Sequence, residues 1–456
     1  MGLGEALDRF FHVSERGSTL ATEVVAGLTT FMTMAYILFV NPAILGDAGV
    51  PRDGVVAATA LSSALATLMM GLYAKVPYAL APGMGLNGYF AYSVVPFVAG
   101  ILAARGDPDP RGLAWRVALA AVLAEGIIFV ILSLTRVRES VANSIPPSLK
   151  YSIAAGIGLF LTLIGLENAG LIAKGGPTGI SLDVHSFTQP GPILALGFTI
   201  LAGILLALRI PGALLISIIL AAGIGWALHV SPPPHGVVAL PRFTAAFKFD
   251  LGHLAALGAA TAAVIVFTFF MVDFFDTLGT VTGLSAAAGL MDEEGRVPGI
   301  GRMLLTDAVG TTIGAILGTS TVTTYIESAA GVEQGGRTGL TAVVVGLLFL
   351  LGLFFAPVFT ATPAYATAPA LIIVGLLMAQ LMRNIDFKDY TEAIPAFITL
   401  TGIPFTFSIS DGMGLGFITY VALKAATGRW RELNPILVGV ALLFIAYFAS
   451  LPHIMH

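Results

Sequence analysis

The sequence predicts an all-α polytopic membrane protein of about fourteen transmembrane segments, arranged as two halves of seven in inverted orientation. Three observations predict it. Of 456 residues, 57% are hydrophobic and only 11% charged, against about 25% charged in an ordinary soluble domain, so most of the outer surface faces something other than water. Apolar runs of bilayer-crossing length, roughly 20 residues, follow one another along the chain. Two of those runs are interrupted, each by residues that a continuous helix does not tolerate.

The net charge is −4 and there is no Cys. No basic stripe speaks for nucleic acid, and disulfides, thiolate metal sites and cysteine nucleophiles are excluded together. The first 23 residues carry Glu5, Asp8, Arg9, Glu15, Arg16 and Glu23 without an apolar core, which is not the pattern of a signal peptide. They read as a cytoplasmic lead-in, or as a short helix lying on the membrane with Leu3, Leu7, Phe10 and Phe11 along one side.

The first seven spans fall at 24–45, 55–74, 79–99, 114–135, 149–172, 192–208 and 211–229. A polar stretch follows, with Ser231-Pro232-Pro233-Pro234-His235 and Arg242, and it breaks the helical pattern. Spans resume at 256–281, 298–317, 318–334, 338–357 and 365–384. Beyond residue 388, segments 391–408, 411–426 and 434–452 are three short elements or two spans, one of them broken; two spans bring the total to fourteen. With the N-terminus inside, short cytoplasmic loops hold twelve Lys and Arg residues (Arg9, Arg16, Lys75, Arg136, Arg138, Lys150, Arg209, Arg296, Arg302, Arg337, Arg383 and Lys388) against seven outside, which favours a cytoplasmic N-terminus.

An odd number of spans per half requires the second half to enter from the opposite face if both fold alike, an inverted repeat frequent in transporters. The third span begins with Pro77, Pro82, Gly83, Gly85 and Gly88; the tenth begins with Thr319, Ser320, Thr321, Thr323 and Thr324. Both starts favour extended chain, and extended backbone cannot face lipid. Two short half-strands are therefore expected inside the protein, paired with each other. Each half-helix that follows would present free N–H groups and its positive end near mid-membrane.

Charged residues point to the same place. Asp273 and Asp276 lie within the aromatic-rich segment Phe267–Gly279 of the eighth span. At a spacing of three they share a helix face, and a charged Asp at the centre of a span costs about 2.5–3.5 kcal/mol. Both are candidate substrate or ion residues, able to share a proton; the structural alternative is capping of a broken neighbour. Glu327 stands at the break of the tenth span, where it is a candidate ligand or a helix cap. Asn87 holds the matching place in the third, and its amide can both donate and accept in the plane of a flat heterocycle. Phe269, Phe270, Phe274 and Phe275 are candidate apolar walls. Gly83, Gly85 and Gly88 match G-x-G-x-x-G but lack a βαβ context, so they are read as places where backbone approaches a ligand. Glu125, Glu167 and Asp307 are read as acids paired with hydroxyls at helix contacts. The seven His residues show no metal-ligand spacing.

Ala81-Pro82-Gly83-Met84-Gly85-Leu86-Asn87, the Asp273 and Asp276 pair, Thr324-Tyr325-Ile326-Glu327-Ser328 and Pro404-Phe405-Thr406-Phe407-Ser408-Ile409-Ser410-Asp411-Gly412 occur in order and resemble the AzgA-like guanine/hypoxanthine branch of the nucleobase–cation symporter-2 (xanthine/uracil permease) family, over residues 16 to 450. The resemblance implies a core domain (24–135 and 256–357) and a gate domain (149–229 and 365–452) after the lead-in 1–23, in the inner (plasma) membrane, with a homodimer formed through the gate. It implies inward symport of hypoxanthine, guanine or adenine with protons, sodium being the other coupling ion to consider, and no cofactor, metal or nucleic acid. Asp273 and Glu327 become the principal purine-binding acids, with Asn87 and Gly85 opposite and Ser328 and Asp276 in support; Asp276 and Glu327 are the proton-coupling candidates. Gly88 departs from the Ala of many relatives. Two other readings stand beside this one: an anion transporter of the same fold, disfavoured by acids at the half-helix starts, and a metal-dependent integral membrane enzyme using the three acids as Mg²⁺ ligands.

Overall fold

The computed structural model describes residues 2–135, 144–174, 179–293 and 296–454. It is mostly helical, and eleven of the described helical stretches are long and apolar enough to cross a membrane. Arg136 and Arg138, counted for orientation, lie outside the described residues.

A short helix α1 (Leu3–Phe11) precedes α2 (Leu20–Met34), which starts earlier than the sequence suggested because the Thr19 side chain accepts from the Thr22 N–H. The first span then breaks at Ala35–Tyr36 and continues as α3 (Ile37–Asp47). After α4 (Arg52–Met69) come strand β1 (Leu80–Pro82) and helix α5 (Met84–Gly88), which widens through 89–94 and runs on as α6 (Val95–Ala104). Gly88 itself is helical, with φ −62°. Next are α7 (Pro110–Ser133), begun by an Asp109 cap and a first-position Pro, then α8 (Pro147–Asn168) and a hairpin of β2 (Ile172–Lys174) with β3 (Ile180–Leu182). The apolar pair α9 (Pro190–Ala207) and α10 (Ala213–Ala227) follows, then the Pro-rich stretch, which is irregular as expected.

The second half holds α11 (Leu251–Ala256), α12 (Ala259–Ala287), α13 (Ile300–Leu317), strand β4 (Val322–Thr324), α14 (Ser328–Glu333), α15 (Gly339–Gly352), α16 (Ala356–Ala361) and α17 (Ala364–Ala379). The expected tenth span is thus a strand and a six-residue helix. The ambiguous tail folds as three helices, α18 (Tyr390–Thr406), α19 (Ile409–Ala426) and α20 (Pro435–Ile454). The first two form an antiparallel hairpin: a Cβ on Gly412 would meet Ile403, and one on Gly416 would meet Thr399 and Pro395.

The centre of the molecule is the antiparallel pair β1–β4, in the register Leu80↔Thr324, Ala81↔Thr323 and Pro82↔Val322. Every residue of both strands is buried, so their outer-edge polar groups must find partners inside the protein. They do so through side chains. The Thr67 hydroxyl serves both the N–H (2.9 Å) and the carbonyl (3.1 Å) of Leu80. Thr311 donates to the Val322 carbonyl at 2.9 Å, Asp307 accepts from the Thr324 N–H at 2.8 Å, and Tyr325 donates to the Pro82 carbonyl. The Thr-rich sequence before Glu327 and the lone hydroxyls on neighbouring helices are the two halves of this accounting.

Elsewhere, three close approaches hold helices in place. Glu23, wholly buried, accepts from the N–H groups of Arg337, Thr338 and Thr341 ahead of and within α15, and from the Thr341 hydroxyl at 2.6 Å. Helices α8 and α17 cross at Gly158 and Gly375, where a Cβ on either would stand 2.5 Å from the carbonyl oxygen of the other. Lys424, also fully buried, pairs with Glu392 (2.7 Å) and Glu432 (2.6 Å), and a Ser148 hydroxyl donated to Glu392 ties this cluster to the start of α8. At its edge the Arg429 guanidinium holds the Asp389 carboxyl well below the usual carboxylate range.

Candidate functional site

A cavity of about 640 Å³ lies where the two interrupted segments face α8 and α17, within the size range of small-molecule sites. Its lining is mostly apolar and includes the carboxylates of Asp276 from α12 and Glu327 from the turn between β4 and α14, with Gly85 from α5. Lys150 and Tyr151 from the first turn of α8 line it as well. Asp276 is exposed within it and Glu327 half-buried.

Glu327 is aimed by the break in the first span. Where α2 stops and α3 begins, Tyr36 is 1% exposed and donates to Glu327 Oε1 at 2.7 Å, while the Thr33 hydroxyl reaches the Glu327 carbonyl at 3.3 Å. Gly85 is small for a reason: a Cβ there would stand 2.7 Å from Ile157 on the facing helix, closing the passage between α5 and α8. Of the four candidate aromatic walls, only Phe275 lines the cavity, and Lys150 Nζ sits 4.5 Å over its ring, a cation–π distance. Phe270 and Phe274 pack edge-on against Phe129, and Phe269 against Tyr89.

The other sequence candidates stand behind the cavity rather than in it. Asp273 and Asp276 differ by three residues, about 60° around a helix of 3.6 residues per turn. That rotation is enough to part them: Asp276 enters the cavity while Asp273, with no exposure, turns toward the strand pair and takes a 3.2 Å contact from Thr311. Asn87 is likewise fully buried; its Oδ1 accepts from the Ser320 hydroxyl, bridging the two interrupted segments. Ser328 Oγ accepts from the Ala79 N–H at 3.0 Å, a second bridge of the same kind. The structure therefore gathers Gly85, Asp276 and Glu327 at the cavity, and uses Asn87 and Ser328 to fasten the two interrupted segments to each other.

Sequence reasoning missed three contributors. Tyr36 is an ordinary residue of an apolar span until its partner, 291 positions away, is known. Lys150 was counted as a loop charge, although its place next to Tyr151 in the first turn of a helix was a usable signal. Tyr325 lies inside the tenth-span motif, and its hydroxyl locks the strand pair.

Residues 21–415 match the sequence model of a permease family. A permease of Methanocaldococcus jannaschii is 49% identical over 98% of both chains. The adenine permease AdeP of Escherichia coli is 43% identical over 96% of this chain and 95% of its own, and the guanine/hypoxanthine permease PbuO of Bacillus subtilis is 42% identical over 95% and 98%. Among solved structures, the transmembrane domain of a cyanobacterial bicarbonate transporter, BicA, superposes with a TM-score of 0.63 at 14% identity, over 87% of this chain and 96% of that one. The murine Solute Carrier 26 member A9 anion transporter, in its inward-facing state, gives 0.61 at 13% identity over 89% and 68%. These two share the fold.

Proposed function

The chain belongs to the nucleobase–cation symporter-2 permease family, and on that premise we propose that it imports a purine nucleobase together with a proton. It is a membrane transporter and not an enzyme, as its relatives are permeases. Its substrate is hypoxanthine, guanine or adenine. The observation that carries this reading is the pair of carboxylates, Asp276 and Glu327, converging on a mostly apolar cavity beside the Gly85 backbone and the Phe275 ring. A neutral purine offers ring N–H groups to carboxylates, acceptors to backbone N–H groups and a flat face to an aromatic wall. Glu327, Asp276 and Gly85 touch the base; Asp273, Asn87 and Ser328 shape the site from behind.

The cavity is lined from both sides of the division expected between core (24–135, 256–357) and gate (149–229, 365–452): Gly85, Asp276 and Glu327 from the first, Lys150, Ile157 and Met378 from the second. That arrangement supports an elevator-like cycle in which the core carries the base past a gate that holds two copies together. The antiparallel meeting of the third and tenth segments supports the fourteen-span inverted repeat, with the N-terminus cytoplasmic and the protein in the plasma (inner) membrane. Two acids in the cavity, against the single Lys150, oppose the anion reading that fold likeness suggests.

Uptake into proteoliposomes tests the whole proposal. With an inward proton gradient of one pH unit, labelled hypoxanthine or adenine should accumulate about tenfold at one proton per base, since one pH unit and a tenfold concentration ratio are the same free energy. Uptake of none of the three purines, or accumulation driven only by sodium, would refute the substrate or the coupling ion respectively. Tyr36→Phe should raise the apparent KM about tenfold, because a hydrogen bond to a charged group contributes about 1.5–3 kcal/mol and each 1.4 is about a decade. An unchanged KM would show that Tyr36 does not position Glu327.

A further inference from the structure

Outside the lining of the cavity, three carboxyl side chains from three helices meet beside β4: Glu125 on α7, Asp273 on α12 and Asp307 on α13. None has any exposure. Glu125 and Asp273 are within hydrogen-bond reach of each other, and Asp307 acts on both. One oxygen of each is served by a threonine: Glu125 Oε2 by Thr321 at 3.5 Å, Asp273 Oδ2 by Thr311 at 3.2 Å, and Asp307 Oδ1 by the hydroxyl and N–H of Thr324 at 2.9 and 2.8 Å. The other oxygen of each, Glu125 Oε1, Asp273 Oδ1 and Asp307 Oδ2, is buried without any N–H or O–H donor.

Counting hydrogens shows what is missing. The Thr311 hydroxyl has one proton and lies within reach of two acceptors, the Val322 carbonyl and Asp273 Oδ2. Both contacts are hydrogen bonds only if the Asp273 carboxyl brings the second proton. A contact between two carboxyls, Glu125 and Asp273, makes the same demand. The groups facing the cluster add no positive charge: α12 contributes Asp276, one turn away, and Thr277, and β4 with the residue before it contributes the hydroxyls of Thr321, Thr323 and Thr324. The groups that act on the three acids are acids and hydroxyls, none a cation. Three ionised carboxylates packed together in a dry interior are prohibitively unfavourable. A proton on the cluster supplies both the positive charge and the donor hydrogen that its unpartnered oxygens lack.

We propose that Glu125, Asp273 and Asp307 form a proton-binding site distinct from the base-binding cavity, joined to it by Asp276, and that the coupling proton is carried there. The proposal rests on the proton-symport reading above. It separates two jobs that the cavity acids would otherwise share: Glu327 and Asp276 meet the base, and the buried cluster, fixed to β4 through Thr311, Thr321 and Thr324, holds the proton while the core moves.

The test compares the wild-type protein with Glu125→Gln, Glu125→Asp and Asp307→Asn in proteoliposomes. Two rates are read, equilibrium exchange of labelled hypoxanthine or adenine and accumulation under a one-unit inward proton gradient. Glu125→Gln should exchange the base within about threefold of wild type, while its accumulation ratio falls from about ten to about one. Glu125→Asp should recover part of that ratio. Asp307→Asn supplies a second reading of the cluster if Glu125→Gln does not fold. Wild-type accumulation by both neutral variants would overturn the proposal, and so would loss of exchange and accumulation together in a variant that elutes and melts like wild type. Failure of the wild type itself to take up any purine refutes the transport reading instead, so the two failures are told apart.

Discussion

Glu327→Gln is expected to lower purine uptake at low substrate by at least about a hundredfold, with little change in stability. The substitution keeps the size of the side chain and an oxygen to receive the Tyr36 hydroxyl, so the local fold survives. What changes is the outer atom: an acceptor becomes an NH₂ donor, which in the proposed binding mode would face a ring N–H of the base. Two donors then oppose each other in a place with little water, and a site built to hydrogen-bond a polar edge loses far more from such a mismatch than from a lost methylene. A hundredfold corresponds to about 2.7 kcal/mol, within the penalty for leaving a buried polar group unpaired. The measurement is initial uptake together with equilibrium exchange, and both should fall, since contact with the base is lost in either assay. Near-wild-type exchange would take Glu327 out of the set that touches substrate.

Gly375→Leu should prevent the protein from being recovered folded. Helices α8 and α17 touch backbone to backbone at this crossing, where a Cβ on Gly375 would meet the Gly158 carbonyl at 2.5 Å, the Thr162 N–H at 3.0 Å and the Thr162 hydroxyl closer still. Small residues are what allow such an approach in a membrane. Two of these three contacts are with backbone atoms, so relief requires the helices to separate along their length. Even moderate overpacking costs about 1–3 kcal/mol; four extra carbons set against a backbone exceed it. Both helices also wall the cavity, so no rearrangement leaves the site intact. In detergent the variant should lose its monodisperse size-exclusion peak. A wild-type peak and melting temperature would show that the crossing is looser than described.

Much of this architecture was legible in the sequence because membrane spans are written in long apolar runs and their interruptions in Pro, Gly and Thr. Pro82, Gly83 and Gly85 marked one break and Thr321, Thr323 and Thr324 the other, and the structure joins them as β1 and β4. The tail was harder: Pro395, Pro404 and the glycines near 412–416 blur the hydropathy of a hairpin whose two arms pack on each other. At the site, Asp276 and Glu327 were visible as charges where charge is costly. Glu125 and Asp307 are equally costly yet were set aside, since a single acid in a span carries no hint of the two others that it meets. The pairing of Tyr36 with Glu327 is hidden for the same reason. Spacing along one helix is written locally, whereas juxtaposition across three is decided only by packing.

The strand pair also sets a schedule for the chain's own synthesis. β1 is complete at residue 82, and its partner β4 begins at residue 322. At 5–20 residues per second the ribosome needs roughly 10–50 s to cover that gap. Throughout it, the Leu80–Pro82 backbone has no strand to pair with, and lipid offers it nothing. The segments made before β4 must therefore wait beside the insertion machinery, or in contact with water, until β4 arrives to pair with β1. The two halves mature as one object, and a chain cut between them would yield fragments that are stable only when made in the same cell.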